Sequence, residues 1–250
     1  MTDELKVERE GHILHARFNR PAKKNAMTDA MYRGLSDAYR EAEEDKDIRV
    51  LLLSGEGDSF TAGNDLSSFA AVLTLDQADA EDPPVLSLIE RGLKATVPIV
   101  AAVEGWCVGI GATMMLHTDF IYAGEDAKFH MPFTQLGAVP EAGASRLLTR
   151  RLGRQRAAEM MLLSEVISAE KAHRYGFITD VVENGSAIAA AERTAERLAQ
   201  LPPRAMRDTK KLMQEDLGDI IPHTRHELEV FASRLRSEEM QAIIAARMKG

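Results

Sequence analysis

The chain has 250 residues, with 31 Lys and Arg against 39 Asp and Glu, a net charge of −8; this balance argues against a nucleic-acid partner and for small molecules. Its composition, 45% hydrophobic and 28% charged, is that of a globular protein rather than a disordered or fibrous one, and its length suits one large domain or one with a smaller appendage. A single cysteine, Cys107, excludes an intramolecular disulfide and reads as a small buried hydrophobe in a protein of a reducing compartment.

In chain order, LKVEREGHILHARFNR alternates as two short strands joined by a turn at Glu10 and Gly11. Thr28 or Asp29 then caps a helix whose apolar stripe is Met31, Leu35, Ala38, Tyr39 and Ala42. IRVLLLSG, 48 to 55, and IVAAVEG, 99 to 105, are continuous apolar strands of the kind covered on both faces. The polar stretch LDQADAEDPP, 75 to 84, reads as a mobile connection into a helix at 85 to 95. A short helix follows the glycines of WCVGIGATMML, then a strand at 119 to 124 and helices at 142 to 152, 154 to 163 and from Ser168. From Gly185 onward the pattern is helical, so an α/β front precedes a helical tail and parallel crossover units are expected. No apolar segment opens the chain, and the longest charge-free run, Gly105 to Thr118, is shorter than the roughly 18 residues of a membrane span. With ARMKG rather than SKL at its end, the chain is expected in the cytoplasm, away from membranes.

Among motifs, VGIGATM, 108 to 114, has Gly109 and Gly111 but Met114 in place of the third glycine of a dinucleotide fingerprint. A tight turn with close backbone approach fits better, and its N–H groups could face negative charge. SGEGDSFTAGNDLSSF, 54 to 69, turns through Ala62, Gly63 and Asn64 and is either a plain loop or a second place where a ligand nears the backbone. Two such loops leaving strands could pair their N–H groups as an oxyanion hole. The seven histidines form no metal pattern, His223 and His226 reading as one turn apart on a surface helix. No G-x-S-x-G elbow is present. Arg146, Arg150, Arg151, Arg154 and Arg156 read most simply as a solvated, ion-paired helix face, with phosphate contact as the alternative, and Lys23 and Lys24 carry the same ambiguity. Glu141, alone in GAVPEAGASRLL, is either an acid resting at a helix N-terminus or a general base whose proton affinity an apolar pocket raises.

The blocks NRPAKKNAM, FTAGNDL, VPIVAAVEGWCVGIGA, DFIYAGEDAKFHMP and LTRRLGRQRAAEMMLLSEVISAEKAHRYGFITDVV, in this order, resemble the crotonase (enoyl-CoA hydratase/isomerase) superfamily over at least residues 5 to 180. The resemblance implies an α/β crotonase-like spiral of ββα units, with a core over 1–190 and a C-terminal helical trimerisation and lid region over 191–250. It implies an acyl-CoA thioester as substrate, no separate cofactor or metal, and a homotrimer or hexamer. Its oxyanion donors fall on the N–H groups of Asn64 and Ile110. Lys24, Ala62, Gly63, Asn64, Asp65, Leu66, Gly109, Phe133 and Leu136 become the substrate-binding candidates, Lys24 toward phosphate.

The two glutamates of the hydratases fall at Thr113 and Phe133, neither of which exchanges protons as a carboxylate does, so weak hydratase activity is expected. FHMPFTQLGAVPEAG is similar to the peroxisomal-type 3,2-enoyl-CoA isomerases, whose base falls on Glu141, and the resemblance implies double-bond isomerisation in fatty acid β-oxidation. Apolar Phe133, Leu136 and Val139 are expected to keep water from it. Three rivals stand beside this reading: another single-acid reaction such as ring-oxepin isomerisation in aromatic degradation, a catalytically silent acyl-CoA-binding protein, and an RNA-binding relative, against which the acidic balance counts. A dehalogenase-like reaction is disfavoured because Phe133 stands where that group has tryptophan.

Overall fold

The computed structural model describes residues 3–65, 83–215 and 218–247. Strands β1 (Leu5–Glu10) and β2 (Ile13–Phe18) form the expected antiparallel hairpin, closed by Gly11 at φ 55°. Helix α1 (Asp29–Glu44) follows, with Thr28 accepting from the Met31 N–H as the N-cap. Its five predicted stripe residues are all buried, together with Tyr32, which the sequence reading left out. Strand β3 (Val50–Gly55), helix α2 (Pro84–Lys94) and strand β4 (Ile99–Val103) come next. Most of the connection expected at 75 to 84 lies outside the described residues.

Beyond β4 the chain makes β5 (Trp106–Val108), α3 (Ile110–Met114), β6 (Phe120–Gly124) and β7 (Lys128–His130). Helices α4 (Ala144–Leu152) and α5 (Arg154–Met161), strand β8 (Ile167–Ser168), helix α6 (Ala169–Tyr175) and strand β9 (Asp180–Val182) complete the α/β part. The tail is α7 (Ala187–Ala199), α8 (Pro203–Met213), α9 (Ile220–Leu235) and α10 (Glu238–Arg247).

A six-stranded sheet in the order β1-β2-β3-β4-β6-β9 is parallel from β2 onward, and a three-stranded sheet runs β5-β7-β8. The continuous apolar strands are covered on both faces, as their sequences require. Leu51, Leu53, Ile99 and Ala101 point into the main core with α1, whereas Val50, Leu52, Val100 and Ala102 meet the alanine face of α7. Helix α7, which spans the boundary expected at residue 190, is therefore packed on the sheet.

Four short strands, β5, β7, β8 and β9, were not anticipated: segments of two or three residues are too short to display a period of two. The predicted helical run from 223 onward is broken at Arg236 and Ser237 into α9 and α10. Cys107 is fully buried. Among the described residues no helix is long and apolar enough to cross a membrane.

Candidate active site

Two loops that leave strands are brought side by side by the small sheet. The Thr61 N–H donates to the Trp106 carbonyl and the Val108 N–H to the Thr61 carbonyl, so residues 61 to 64 run along β5. On the other side the Met27 N–H donates to the Gly63 carbonyl and the Asp65 N–H to the Met27 carbonyl. Successive peptide groups of an extended segment face opposite ways, so the Asn64 N–H is turned away from Met27. Ile110 is the first residue of α3, and its N–H has no carbonyl one turn back to bond. Glycine is required at the contact between the loops: Gly63 has φ 87°, and a Cβ there would stand 3.0 Å from the Val108 carbonyl oxygen.

A cavity of about 460 Å³ opens beside these loops. Its wall includes Ala62, Gly63, Asn64, Asp65, Gly109 and Ile110, with Phe133, Leu136 and Ala138 opposite and Phe231 and Met240 from the C-terminal helices. Of the predicted substrate-binding residues, Leu66 lies outside the described residues. Lys24 is exposed and gives its carbonyl to the Ala62 N–H, while its neighbour Lys23 lines the cavity.

Glu141, 5% exposed, is buried and is not itself among the residues that line this cavity. Its Oε1 accepts a 2.6 Å hydrogen bond from the Thr113 hydroxyl, and Thr113 sits on α3 one turn beyond the Gly109–Ile110 peptide. Its buried Oε2 has no hydrogen-bond partner among the described residues. Burial pushes the carboxyl up to about 8, against the lowering effect of the Thr113 hydrogen bond, and the Glu227 carboxylate pushes it the same way as burial. Tyr32, buried on α1, donates its hydroxyl to the Asn64 side-chain carbonyl; burial first, and the Glu141 charge after it, push its phenol well above the usual range.

The sequence reading offered Glu141 a bland alternative, rest at a helix N-terminus; the structure gives that place to another acid. Helix α4 begins at Ala144, after Ala142 and Gly143 both turn through left-handed conformations at φ 62° and 72°. The acceptor for its first turn is Glu227 of α9, which takes the Gly143 N–H at 2.7 Å and the Ser145 N–H at 3.0 Å. His223, read as a surface residue, is half-buried and within 2.7 Å of the Ser145 hydroxyl, because α9 packs on this turn. His117 is kept neutral by burial, its pKa lowered to about 4. Its Nε2 donates to the Ala142 carbonyl at 2.9 Å. Thr113, Tyr32, Glu227 and His117 were not singled out as partners of the acid. Only Thr113 carried a signal, its place one helical turn after the glycine turn.

A larger cavity, about 700 Å³, lies elsewhere, between α8 and the beginnings of β4 and β6. Its buried cation, Lys210, is bonded to Asp119 and the Val97 carbonyl, and the two loops do not contribute to its wall. The predicted arginine face is ion-paired in part: Arg146 and Arg150 both reach Asp219.

This fold, with a glycine-lined pair of loops over an acyl-sized cavity, defines a class. Residues 8–247 match the enoyl-CoA hydratase/isomerase family model, and the chain belongs to that family. It is 34% identical over 237 residues to enoyl-CoA delta isomerase 2 of Rattus norvegicus, covering 93% of this chain and 60% of that protein. The chain thus spans only about 60% of that relative's length. It is 36% identical over 193 residues to 1,2-epoxyphenylacetyl-CoA isomerase of Escherichia coli K12, covering 76% of this chain and 74% of that one. The solved structure of Pseudomonas aeruginosa OdaA superposes over 100% of both chains with a TM-score of 0.93 at 36% identity. The crotonase fold expected from the sequence is thus shown.

Proposed function

We propose that the protein isomerises 3-enoyl-CoA thioesters to 2-enoyl-CoA thioesters with Glu141 as the proton shuttle. The ionised carboxylate removes a proton from the α-carbon; the C–H electron pair becomes part of a dienolate whose negative oxygen sits between the Asn64 and Ile110 N–H groups. The same carboxyl then returns the proton to the γ-carbon, the double bond moves into conjugation, and no water is consumed. An oxyanion donor of this kind contributes roughly 10²–10³-fold to rate. The observation that carries the reading is the half-partnered Glu141: one oxygen held by Thr113 for orientation, the other buried without a partner, and a proton affinity raised toward neutrality. Thr113, standing where a hydratase has an acid, here orients the one that remains.

In this reading Ala62, Gly63, Asp65 and Leu66 run along the coenzyme A moiety, and Lys23 or Lys24 meets its phosphates. Phe133, Leu136, Ala138, Phe231 and Met240 enclose the acyl chain. A trimeric assembly and a cytoplasmic location belong to the same proposal. Product analysis tests it: a 3-enoyl-CoA should give the 2-enoyl isomer, with little product heavier by one water. Predominant water addition would contradict the assignment.

The similarity to an epoxyphenylacetyl-CoA isomerase favours one second reading, a ring isomerisation that also needs a single acid. Comparing rates on linear 3-enoyl thioesters and on an aromatic epoxide thioester decides between them.

A further inference from the structure

Helix α9 belongs to the C-terminal helices, yet one of its side chains reaches the turn that carries the base. Glu227 is 6% exposed and accepts three hydrogen bonds from that turn: the Gly143 N–H, the Ser145 N–H and the Ser145 hydroxyl. The approach is close by necessity, since a Cβ on Gly143 would stand 3.0 Å from Ile220 and 3.1 Å from Thr224, both on α9. Left-handed backbone at two successive residues, one of them an alanine, is held only where the surroundings over-determine it. Glu227 supplies that hold two residues beyond Glu141, together with the His117 bond to the Ala142 carbonyl.

We infer that Glu227 is a positioning residue for the reaction: from the C-terminal helical region it fixes the turn that aims Glu141. The inference rests on Glu141 being the proton shuttle.

The charges around the pair are accounted for. His223, on the same helix, stands 3.2 Å from Glu227 Oε1 and, when protonated, cancels part of its charge. Arg225 of α9 turns away to Glu90 on α2, and Arg146 of α4 turns to Asp219, so neither neutralises Glu227. On the α1 side Glu141 faces the Tyr32 hydroxyl, and from α3 it faces the Thr113 hydroxyl. Because Glu227 and burial both favour the protonated form of Glu141, removing the charge or loosening the turn moves the base in one direction, toward easier ionisation.

Glu227→Gln tests this through the pH dependence of kcat/KM. The rising limb should move to lower pH by about half a unit or more, and the plateau kcat should fall roughly tenfold with KM within about twofold of wild type. Glu227→Asp draws the charge back by one methylene and should move the limb the same way by less, so either variant that folds, by its thermal transition, reports on the idea. A limb that coincides with wild type overturns the inference, even in a variant of lower thermal stability, because a purely structural cap would lower stability alone. Failure of the underlying assignment reads differently: Glu141→Gln would then keep its isomerase activity, whatever Glu227 does.

Discussion

Among the described residues Lys210 and Glu141 are both buried, and their surroundings bond them to different extents. At the larger cavity Lys210, 5% exposed, reaches Asp119 at 2.6 Å and the Val97 carbonyl at 2.9 Å, and Asp119 in turn accepts the Ile99 N–H at 2.8 Å. Helix α8 is thereby tied to the starts of β4 and β6. Glu141, which lines neither cavity, is as deeply buried, yet its Oε2 has no hydrogen-bond partner among the described residues. Burial pushes both groups toward the neutral form, Lys210 downward and Glu141 upward; the Asp119 carboxylate opposes the shift at Lys210, and at Glu141 the Thr113 hydrogen bond does. The proposed reaction places the chemistry at Glu141 and the two loops rather than at the larger cavity.

Glu141→Gln should sharpen this contrast most. A sole acid–base group contributes roughly 10²–10⁴-fold, so isomerisation should fall by that order while binding of an acyl-CoA product, followed by calorimetry, persists. The same variant should gain stability. Folding raises this carboxyl from 4.5 to about 8, so native Glu141 favours the proton; its contribution to stability is fully present below 4.5 and is lost as pH rises through 8. At about 1.4 kcal/mol per unit, Glu141→Gln should melt above wild type near pH 9 and converge with it toward acid.

Breaking the other site should do the reverse. Asp119→Ala strands the buried Lys210 ammonium and should cost about 3 kcal/mol in denaturant unfolding, with the specific activity of the folded fraction retained. Loss of activity at unchanged stability would erase the distinction between the two regions.

Thr113→Val removes the one hydrogen bond that eases Glu141 ionisation. The rising limb of kcat/KM, set near 8 by the base, should move to higher pH by about one unit, with roughly tenfold lower activity at pH 7. The smallest effect is expected at Thr224, whose hydroxyl is buried on α9 without a hydrogen-bond partner among the described residues. Thr224→Val should be neutral or stabilising by a few tenths of a kcal/mol, showing that an unsatisfied hydroxyl is tolerated where no proton moves.

The long elements were legible because their periodicity is long enough to register. The α1 stripe lies within Asp29–Glu44, and the strands expected at 48 to 55 and 99 to 105 form over Val50–Gly55 and Ile99–Val103. The glycines at 63 and 109 were legible as places of close backbone approach, and the structure sets their loops against each other. Glu141 was visible as an oddity, but the residues that define its chemistry were not. Tyr32 is 109 positions away in sequence and hid within an ordinary buried stripe. Glu227, 86 positions away, looked like one more acid on a polar helix, and only the packing of α9 against Gly143 reveals what it holds. The short strands that align the loops escaped for the same reason: their pairing is non-local, and nothing in two or three residues announces a partner.

Solvent deuterium exchange at the α-carbon of a bound 3-enoyl thioester is the most direct probe of the central claim, because it watches the proton rather than the product. Wild type should exchange or transfer that proton during turnover, while Glu141→Gln, folded and still binding thioester, should do neither. Exchange at the wild-type rate in the Glu141→Gln protein would show that another group moves the proton.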